Sequence, residues 1–329
     1  MVETFQLGPF TVPRLFMGLW QLSSPAWGAA SRSKMLREFQ KHVDAGFTAF
    51  DMADHYGDAE LVFGSFRSSY AGPKSIVCAT KYCVFESITP TKDLVRQAVS
   101  QRLANTKSEK VDLLQFHWQH YENSQYIQSL KYLEADDRVT VVGLCNFDTK
   151  RLVEIVDAGI NIATNQVQFS LIDNRPMFLM GEACEKHNVK LLTYGTLCGG
   201  FLADKWLGKD EPDIFGVDMT PSHRKYLEMI NIWGGWSLFQ TLLSTLSTIA
   251  RKHSVTVSSV AIRWVLDFPY VGAVIIGARM GVSEHTDDNM GVYGWRLDDE
   301  DVAMVEDVLK QSRRKELFAD MGDCGAEYR

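Results

Sequence analysis

Several things are missing from this chain of 329 residues, and each absence narrows the field. No apolar run approaches the roughly 20 residues that span a bilayer. No N-terminal apolar stretch carries basic flanks, so a secretory leader is not expected either. Basic excess is lacking: 34 Lys and Arg face 41 Asp and Glu, for a net charge of −7. That balance argues against nucleic acid or an anionic membrane as the main partner. Cysteine is sparse, with six residues (Cys78, Cys83, Cys145, Cys184, Cys198, Cys324) and no close pair at metal-ligand spacing. Reduced thiols, no metal and a cytoplasmic setting are expected. No Gly-rich phosphate turn follows the first strand-like run, and no repeat, low-complexity linker or domain break interrupts the chain. What remains is 46% hydrophobic and 23% charged, enough to bury one large core.

The apolar residues alternate between two periods. Val2–Pro13 reads as a small hairpin or plug. Eight strand-like runs follow: Leu15–Trp20, Ala49–Met52, Ile76–Lys81, Val111–His117, Thr140–Leu144, Ala163–Gln168, Lys190–Thr193 and Val271–Ile276. Helix patterns separate them. One starts near Ser33, with Leu36, Phe39 and Val43 on one face and Gly46 as its stop. Others cover Ala59–Ser69, the stretch after a Thr89-Pro90 cap, the stretch after Asp148, Leu238–His253, Ser258–Phe268 and the turns after Asp298. Such alternation means parallel strands with crossover helices. Eight units favour a single-domain α/β protein, a (β/α)8 TIM barrel over residues 1–329, whose strand ends open on one face. Cys198–Trp236 is irregular and aromatic. Lys315–Arg329 is expected to be a polar surface loop.

The chemistry-bearing residues sit at strand exits. FDMADHYG (residues 50–57) carries Asp51 and Tyr56; the next run ends in Lys81 and the one after in His117. A phenol ordinarily titrates near ~10, too high for easy proton traffic at neutrality, and an adjacent ammonium lowers it. A carboxylate fixes the amine, and an imidazole orients a substrate carbonyl by hydrogen bonding. Together they form a general acid for a carbonyl oxygen. Singly, a structural Asp–Lys pair, a rim tyrosine and a core histidine are the better readings; four at consecutive exits are not. Asn146, Gln166 and Tyr194 also stand at exits. They suit a carboxamide-bearing ring such as nicotinamide, and equally suit loop capping and core filling. The turn GTLCGGF, with Gly195, Leu197 and Gly199, lets backbone N–H groups approach phosphate. Gly277 and Arg279 follow the last strand, ahead of Asp288 and Asn289, and form a candidate phosphate clamp. Trp20, Phe85 and Trp118, among the loop aromatics that include Trp27, are expected to line an apolar pocket. Cys78 and Cys83 flank Lys81 and read as buried small hydrophobes.

The ordered segments FDMADHYG, ATKY, QFHW, GLCNF, NQVQFS and IIGAR, with the Asp288-Asn289 pair, resemble the aldo-keto reductases from the first strand almost to the end of the chain. The resemblance implies a barrel that binds NADPH in extended form, with NADH possible because Met280 and His285 replace frequent polar partners. It implies Tyr56 as proton donor tuned by Lys81 and Asp51, with His117 orienting the carbonyl. Asn146 and Gln166 would hold the carboxamide, and Tyr194 would stack on the nicotinamide. Arg279 would meet the 2′-phosphate, and Asp288 and Asn289 the adenine. Cys145 stands where Ser is usual, and Gly195-Thr196 where Ser-Pro is common. The expected function is NAD(P)H-dependent reduction of an aldehyde or ketone. The rivals are a sugar or alcohol dehydrogenase, a cofactor-sensing subunit resembling channel-associated members, and a Schiff-base lyase using Lys81.

Overall fold

The computed structural model describes residues 1–23, 26, 28–122, 124–217, 219–283 and 285–329; Ser24, Pro25, Trp27, Asn123, Asp218 and Glu284 lie outside the described residues. Strands β1 (Thr4–Leu7) and β2 (Phe10–Pro13) form an antiparallel hairpin. Eight parallel strands then close a barrel: β3 (Leu15–Gly18), β4 (Ala49–Asp51), β5 (Val77–Val84), β6 (Val111–Trp118), β7 (Val139–Cys145), β8 (Thr164–Gln168), β9 (Lys190–Tyr194) and β10 (Val271–Gly277), with β10 pairing β3. The expected (β/α)8 barrel is the observed fold. No helix among the described residues is long and apolar enough to cross a membrane.

Pleating sorts each strand into two faces. One set of alternate residues, Phe16, Ala49, Val77, Ala79, Leu113, Val141, Leu192, Ala273 and Ile275, packs inside the barrel and is plugged by Leu7 and Val12 of the hairpin. The other set joins the larger core under the helices. Toward the C-terminal ends, the inward positions switch from apolar to polar. Asp51, Lys81, Gln115, His117 and Gln166 continue the interior rows of their strands. The chemistry is therefore placed by the same period-two rule that builds the floor.

Helix boundaries follow capping chemistry. Helix α1 (Arg32–Ala45) starts at Ser31, whose side chain accepts from Lys34 N–H, and ends at left-handed Gly46. Helix α2 spans Ala59–Ser69. Helix α3 (Lys92–Thr106) departs from the Thr89-Pro90 expectation: Thr91 is the cap and accepts from Leu94 N–H at 3.2 Å, so the chain stays extended through Pro90. Helices α4 (Gln125–Glu134), α5 (Thr149–Asp157) and α6 (Met180–His187) complete the first six units.

Two segments depart further from expectation. Part of the irregular stretch is helix α7 (Pro221–Trp233), with Thr220 as cap and Pro221 at its first turn, followed by α8 (Gly235–His253) and α9 (Val257–Leu266). Its aromatics pack on one another: the Phe201 ring lies 4.8 Å from Trp206 and 5.9 Å from Trp236. After α10 (Thr286–Met290) and α11 (Asp299–Leu309), the tail is not a surface loop. It forms α12 (Arg314–Met321), buries Cys324, and runs back over the barrel mouth.

Candidate active site

Asp51 and Lys81 form a buried ion pair, Oδ2 to Nζ 2.8 Å, beneath the mouth. The ammonium also donates to the Met52 carbonyl at 2.9 Å. The second carboxylate oxygen accepts from Gln115 Nε2 at 2.8 Å and Gln166 Nε2 at 2.7 Å, and Gln166 Nε2 also bonds Gln115 Oε1. Charge buried this deeply is tolerable when it is paired and hydrogen-bonded, and here two ammonium hydrogens and both carboxylate oxygens are engaged. Burial alone would lower the Lys81 amine's affinity for its proton, but the Asp51 carboxylate outweighs this and holds the ammonium well above its usual range. Gln115 did not figure among the sequence candidates. Its signal was the pleat: it sits two residues before His117, on the same strand face.

Tyr56 lies on the loop between β4 and α2, partly buried, with Lys81 Nζ 4.8 Å from its ring centre. Asp54 ties this loop down by accepting the Cys83 N–H at 3.0 Å and pairing with Arg102 at 3.3 Å. Burial pushes the Tyr56 phenol above its usual range, and the Lys81 charge pulls it only part of the way back. The net direction is therefore opposite to the sequence expectation. A phenol beside an ammonium is here a protonated donor at neutral pH, not a phenolate.

His117 Nδ1 lies 2.9 Å from the Cys145 carbonyl oxygen. A carbonyl only accepts, so Nδ1 carries the hydrogen. In the neutral ring Nε2 is then an acceptor, able to receive a hydroxyl hydrogen; it can donate to a carbonyl oxygen only as imidazolium. Burial, aided by the charges of Arg329, His55 and Lys81, drives this histidine down to about 4 despite its carbonyl partner. The folded-state value lies below the unfolded one, so the unfolded chain binds the extra proton first. The contribution to stability is present above about pH 6.5 and is lost as pH falls through about 4, for roughly 3 kcal/mol in all. His117→Gln, which keeps an N–H donor for Cys145, is expected to flatten the wild-type decline in denaturant midpoint over that window. An unchanged decline would remove the buried neutral imidazole from the account.

Asn146 and Tyr194 stand beside this centre. Asn146 holds a left-handed backbone, φ 59°. Its Oδ1 accepts from the Tyr194 hydroxyl at 3.0 Å. Among the described residues, the Asn146 amide nitrogen and the Gln166 Oε1 take no partner. One free donor and one free acceptor, beside an aromatic ring, match the two edges of a primary carboxamide. Beyond Tyr194 the chain turns through positive φ at Gly195 (71°), Cys198 (50°) and Gly199 (65°), with Leu197 half-buried between them. This compact turn is the kind that directs backbone N–H groups toward an anion. Arg279 follows Gly277 at the exit of β10, with Nε 3.1 Å from Ser283 Oγ. Asp288 is exposed and Asn289 is buried in α10. These last four form a separate group, away from the Asp51 network by sequence and by hydrogen bonding.

The rim is aromatic. Phe85 is 43% exposed and stands edge-on to His55 at 5.1 Å and 5.9 Å from the His117 ring. Trp20, 48% exposed, follows β3. Trp118 does not belong to this group. It falls on the outward parity of β6, is 0% exposed, and packs against Phe116 with its indole N–H on the His120 carbonyl. Being next to His117 in sequence puts it on the opposite face of the strand. The same parity parts Cys78, which joins the outer core, from Cys83, which shares the inner row with Lys81. Asp54, His55 and Cys83 could bring ligand atoms within 4.8 Å of one another. Arg102 already occupies the Asp54 carboxylate, which disfavours a cation there.

Three rim residues were absent from the sequence candidates: Tyr121, Tyr328 and Arg329. The Tyr328 hydroxyl lies 3.0 Å from that of Tyr194, and its ring stands edge-on to His117 at 5.7 Å. Tyr328 and Arg329 were hidden by their separation along the chain from every motif, whereas Tyr121 stands only three residues past QFHW.

A closed parallel barrel thus gathers a carboxylate, an amine, a phenol and an imidazole toward its C-terminal rim, the face on which barrel enzymes carry their chemistry. The chain belongs to the aldo/keto reductase family, which it matches over residues 14–310. It is 26% identical to the chloroplastic pyridoxal reductase of Arabidopsis thaliana, over 94% of this chain and 87% of that protein. The aldo-keto reductase YhdN of Bacillus subtilis is 22% identical, over 91% and 90%. Among solved structures, the glycerol dehydrogenase AKR11B4 from Gluconobacter oxydans superposes with a TM-score of 0.78 at 23% identity, covering 95% of this chain and 96% of that one. That likeness is one of fold.

Proposed function

We propose that the protein is an NADPH-dependent carbonyl reductase acting on aldehydes, with Tyr56 as the general acid. The observation that carries this reading is the buried, hydrogen-bonded Asp51–Lys81 network beside a protonated phenol. Such a phenol can give its proton to an oxygen that gains negative charge. The adjacent ammonium stabilises the tyrosinate left behind.

The residues fit the cofactor that the family resemblance implies. Asn146 and Gln166 offer the complementary donor and acceptor for a carboxamide, Tyr194 offers a ring face, and the Gly195–Gly199 turn and Arg279 offer anion contacts. When bound, a reduced nicotinamide supplies the hydride. Lys81 keeps its charge, which argues against a Schiff-base role because an ammonium is not a nucleophile. His117, neutral with Nε2 as acceptor, holds a hydroxyl, either one already on the substrate or the one formed from the carbonyl. The aromatic rim of His55, Phe85 and Tyr328 suits a planar aldehyde. A relative named as a pyridoxal reductase supports that class.

The purified protein is expected to consume NADPH, followed by nicotinamide absorbance, only when an aldehyde is present. Arg279→Ala should raise the KM for NADPH by at least about tenfold more than that for NADH, the scale of one lost charge-assisted hydrogen bond. Equal changes for both cofactors would remove Arg279 as the phosphate partner.

A further inference from the structure

We infer that Arg329 receives an oxyanion, a carboxylate or a phosphate, carried by the carbonyl substrate, and so sets a preference for charged over neutral aldehydes. The inference rests on the carbonyl-reductase reading and names a substrate class for the same site.

The tail is held at the mouth by contacts independent of any ligand. Asp323 accepts the Thr149 N–H at 2.7 Å. Gly325 adopts φ 78° against the Asn146 backbone, where a side chain would collide. Arg175, 1% exposed, clasps Glu327 with two bonds of 2.8 and 2.9 Å while also gripping Asp173. These fix Tyr328 against Tyr194 and deliver Arg329 beside it.

Arg329 is exposed, and its guanidinium is held against the rim. Its Nη2 donates to the Asn146 carbonyl and to the Tyr121 hydroxyl, both at 2.6 Å, and its guanidinium lies 3.9 Å over the Tyr121 ring. Nη1 reaches the Tyr328 carbonyl at 3.2 Å. A guanidinium has five N–H donors, so two remain. Among the described residues, no Asp or Glu side chain forms an ion pair with Arg329. The nearby acids are committed elsewhere: Glu327 to Arg175, Asp148 to the Arg151 N–H, and Asp323 to the N–H groups of Thr149 and Cys324. Its positive field reaches His117, where it helps to keep the imidazole neutral. An unpaired, pre-oriented guanidinium on an aromatic shelf, within electrostatic reach of the candidate catalytic histidine, is a receptor for an anionic group on the molecule being reduced.

Two matched pairs test this. The first is 4-carboxybenzaldehyde and methyl 4-formylbenzoate; the second is pyridoxal 5′-phosphate and 5-deoxypyridoxal, neither of which has a free hydroxyl to close onto the aldehyde. Within each pair the aldehyde is the same and only the anion differs, and the two pairs separate carboxylate from phosphate. For at least one pair, the wild type should favour the charged member in kcat/KM by about tenfold or more, the scale of a charge-assisted bond. Arg329→Met should bring that ratio near one, chiefly through KM of the charged member, and Arg329→Lys should keep part of it. Ratios near one in the wild type, or equal losses for both members in Arg329→Met, would overturn the inference and leave Arg329 as a tail clasp. Calorimetry with terephthalate, which cannot be reduced by hydride transfer to an aldehyde, gives a readout that needs no turnover. Terephthalate bound by wild type and about tenfold more weakly by Arg329→Met supports the anion receptor even if no aldehyde is consumed; equal affinity contradicts it.

Discussion

Replacing Tyr56 with phenylalanine is expected to lower kcat for aldehyde reduction by on the order of a thousandfold, with little change in NADPH affinity. The change removes one oxygen and leaves the ring beside the Lys81 ammonium, so the cation–aromatic contact and the packing survive. What is lost is the proton that must reach the nascent alkoxide. A thousandfold corresponds to about 4 kcal/mol of barrier, within the range a positioned acid supplies. Steady-state rates and a fluorescence titration of cofactor separate the two effects. A variant that turns over as fast as wild type would end the acid assignment. A variant that no longer binds NADPH would place Tyr56 in cofactor binding instead.

The second large effect is expected at Lys81→Met. Removing the amine leaves Asp51 buried with only the Gln115 and Gln166 amides as donors. Breaking a buried pair from one side costs about 3–5 kcal/mol, because the surviving charge is uncompensated. The denaturant midpoint should fall accordingly, and turnover should fall with it, since nothing then stabilises the tyrosinate. The Asp51→Asn/Lys81→Met double variant should recover part of the stability and none of the turnover. That split distinguishes charge balance from catalysis. A double variant as unstable as the sum of its parts would indicate that the two residues act separately.

The barrel was legible because its signal is repeated. Eight apolar runs at helix-length spacing leave little choice of architecture, and capping residues such as Asp148 and Gly46 mark their helices directly. The central constellation was legible for the same reason. Asp51, Lys81, His117 and Gln166 lie on the inward rows of β4, β5, β6 and β8, and Asn146 directly follows β7, so a closed barrel brings them together. Trp118 shows where adjacency misleads: one residue along a strand is the opposite face. The Tyr56 phenol shows where pairwise electrostatics misleads, because burial outweighs the neighbouring charge and cannot be read from the chain. The tail shows a third limit. A polar, Gly-containing segment looks like a surface loop until Arg175, 152 residues away, is seen to pin Glu327. No local pattern encodes such a contact. Helix α7 was hidden differently: its Thr220-Pro221 start signal was present, but it lies within a long, mixed and aromatic stretch that reads as irregular.

The central claim is that the Tyr56 hydroxyl meets the reacting oxygen beside a nicotinamide held by Asn146, Gln166 and Tyr194. A crystal structure with NADP⁺ and a non-reacting carboxamide or aldehyde analogue tests it most directly. The expected result is the nicotinamide ring against Tyr194, its carboxamide between the Asn146 amide nitrogen and Gln166 Oε1, and the analogue oxygen about 2.6–3.2 Å from the Tyr56 hydroxyl. A nicotinamide bound elsewhere on the barrel, or an analogue oxygen held by other residues with Tyr56 turned away, would contradict it.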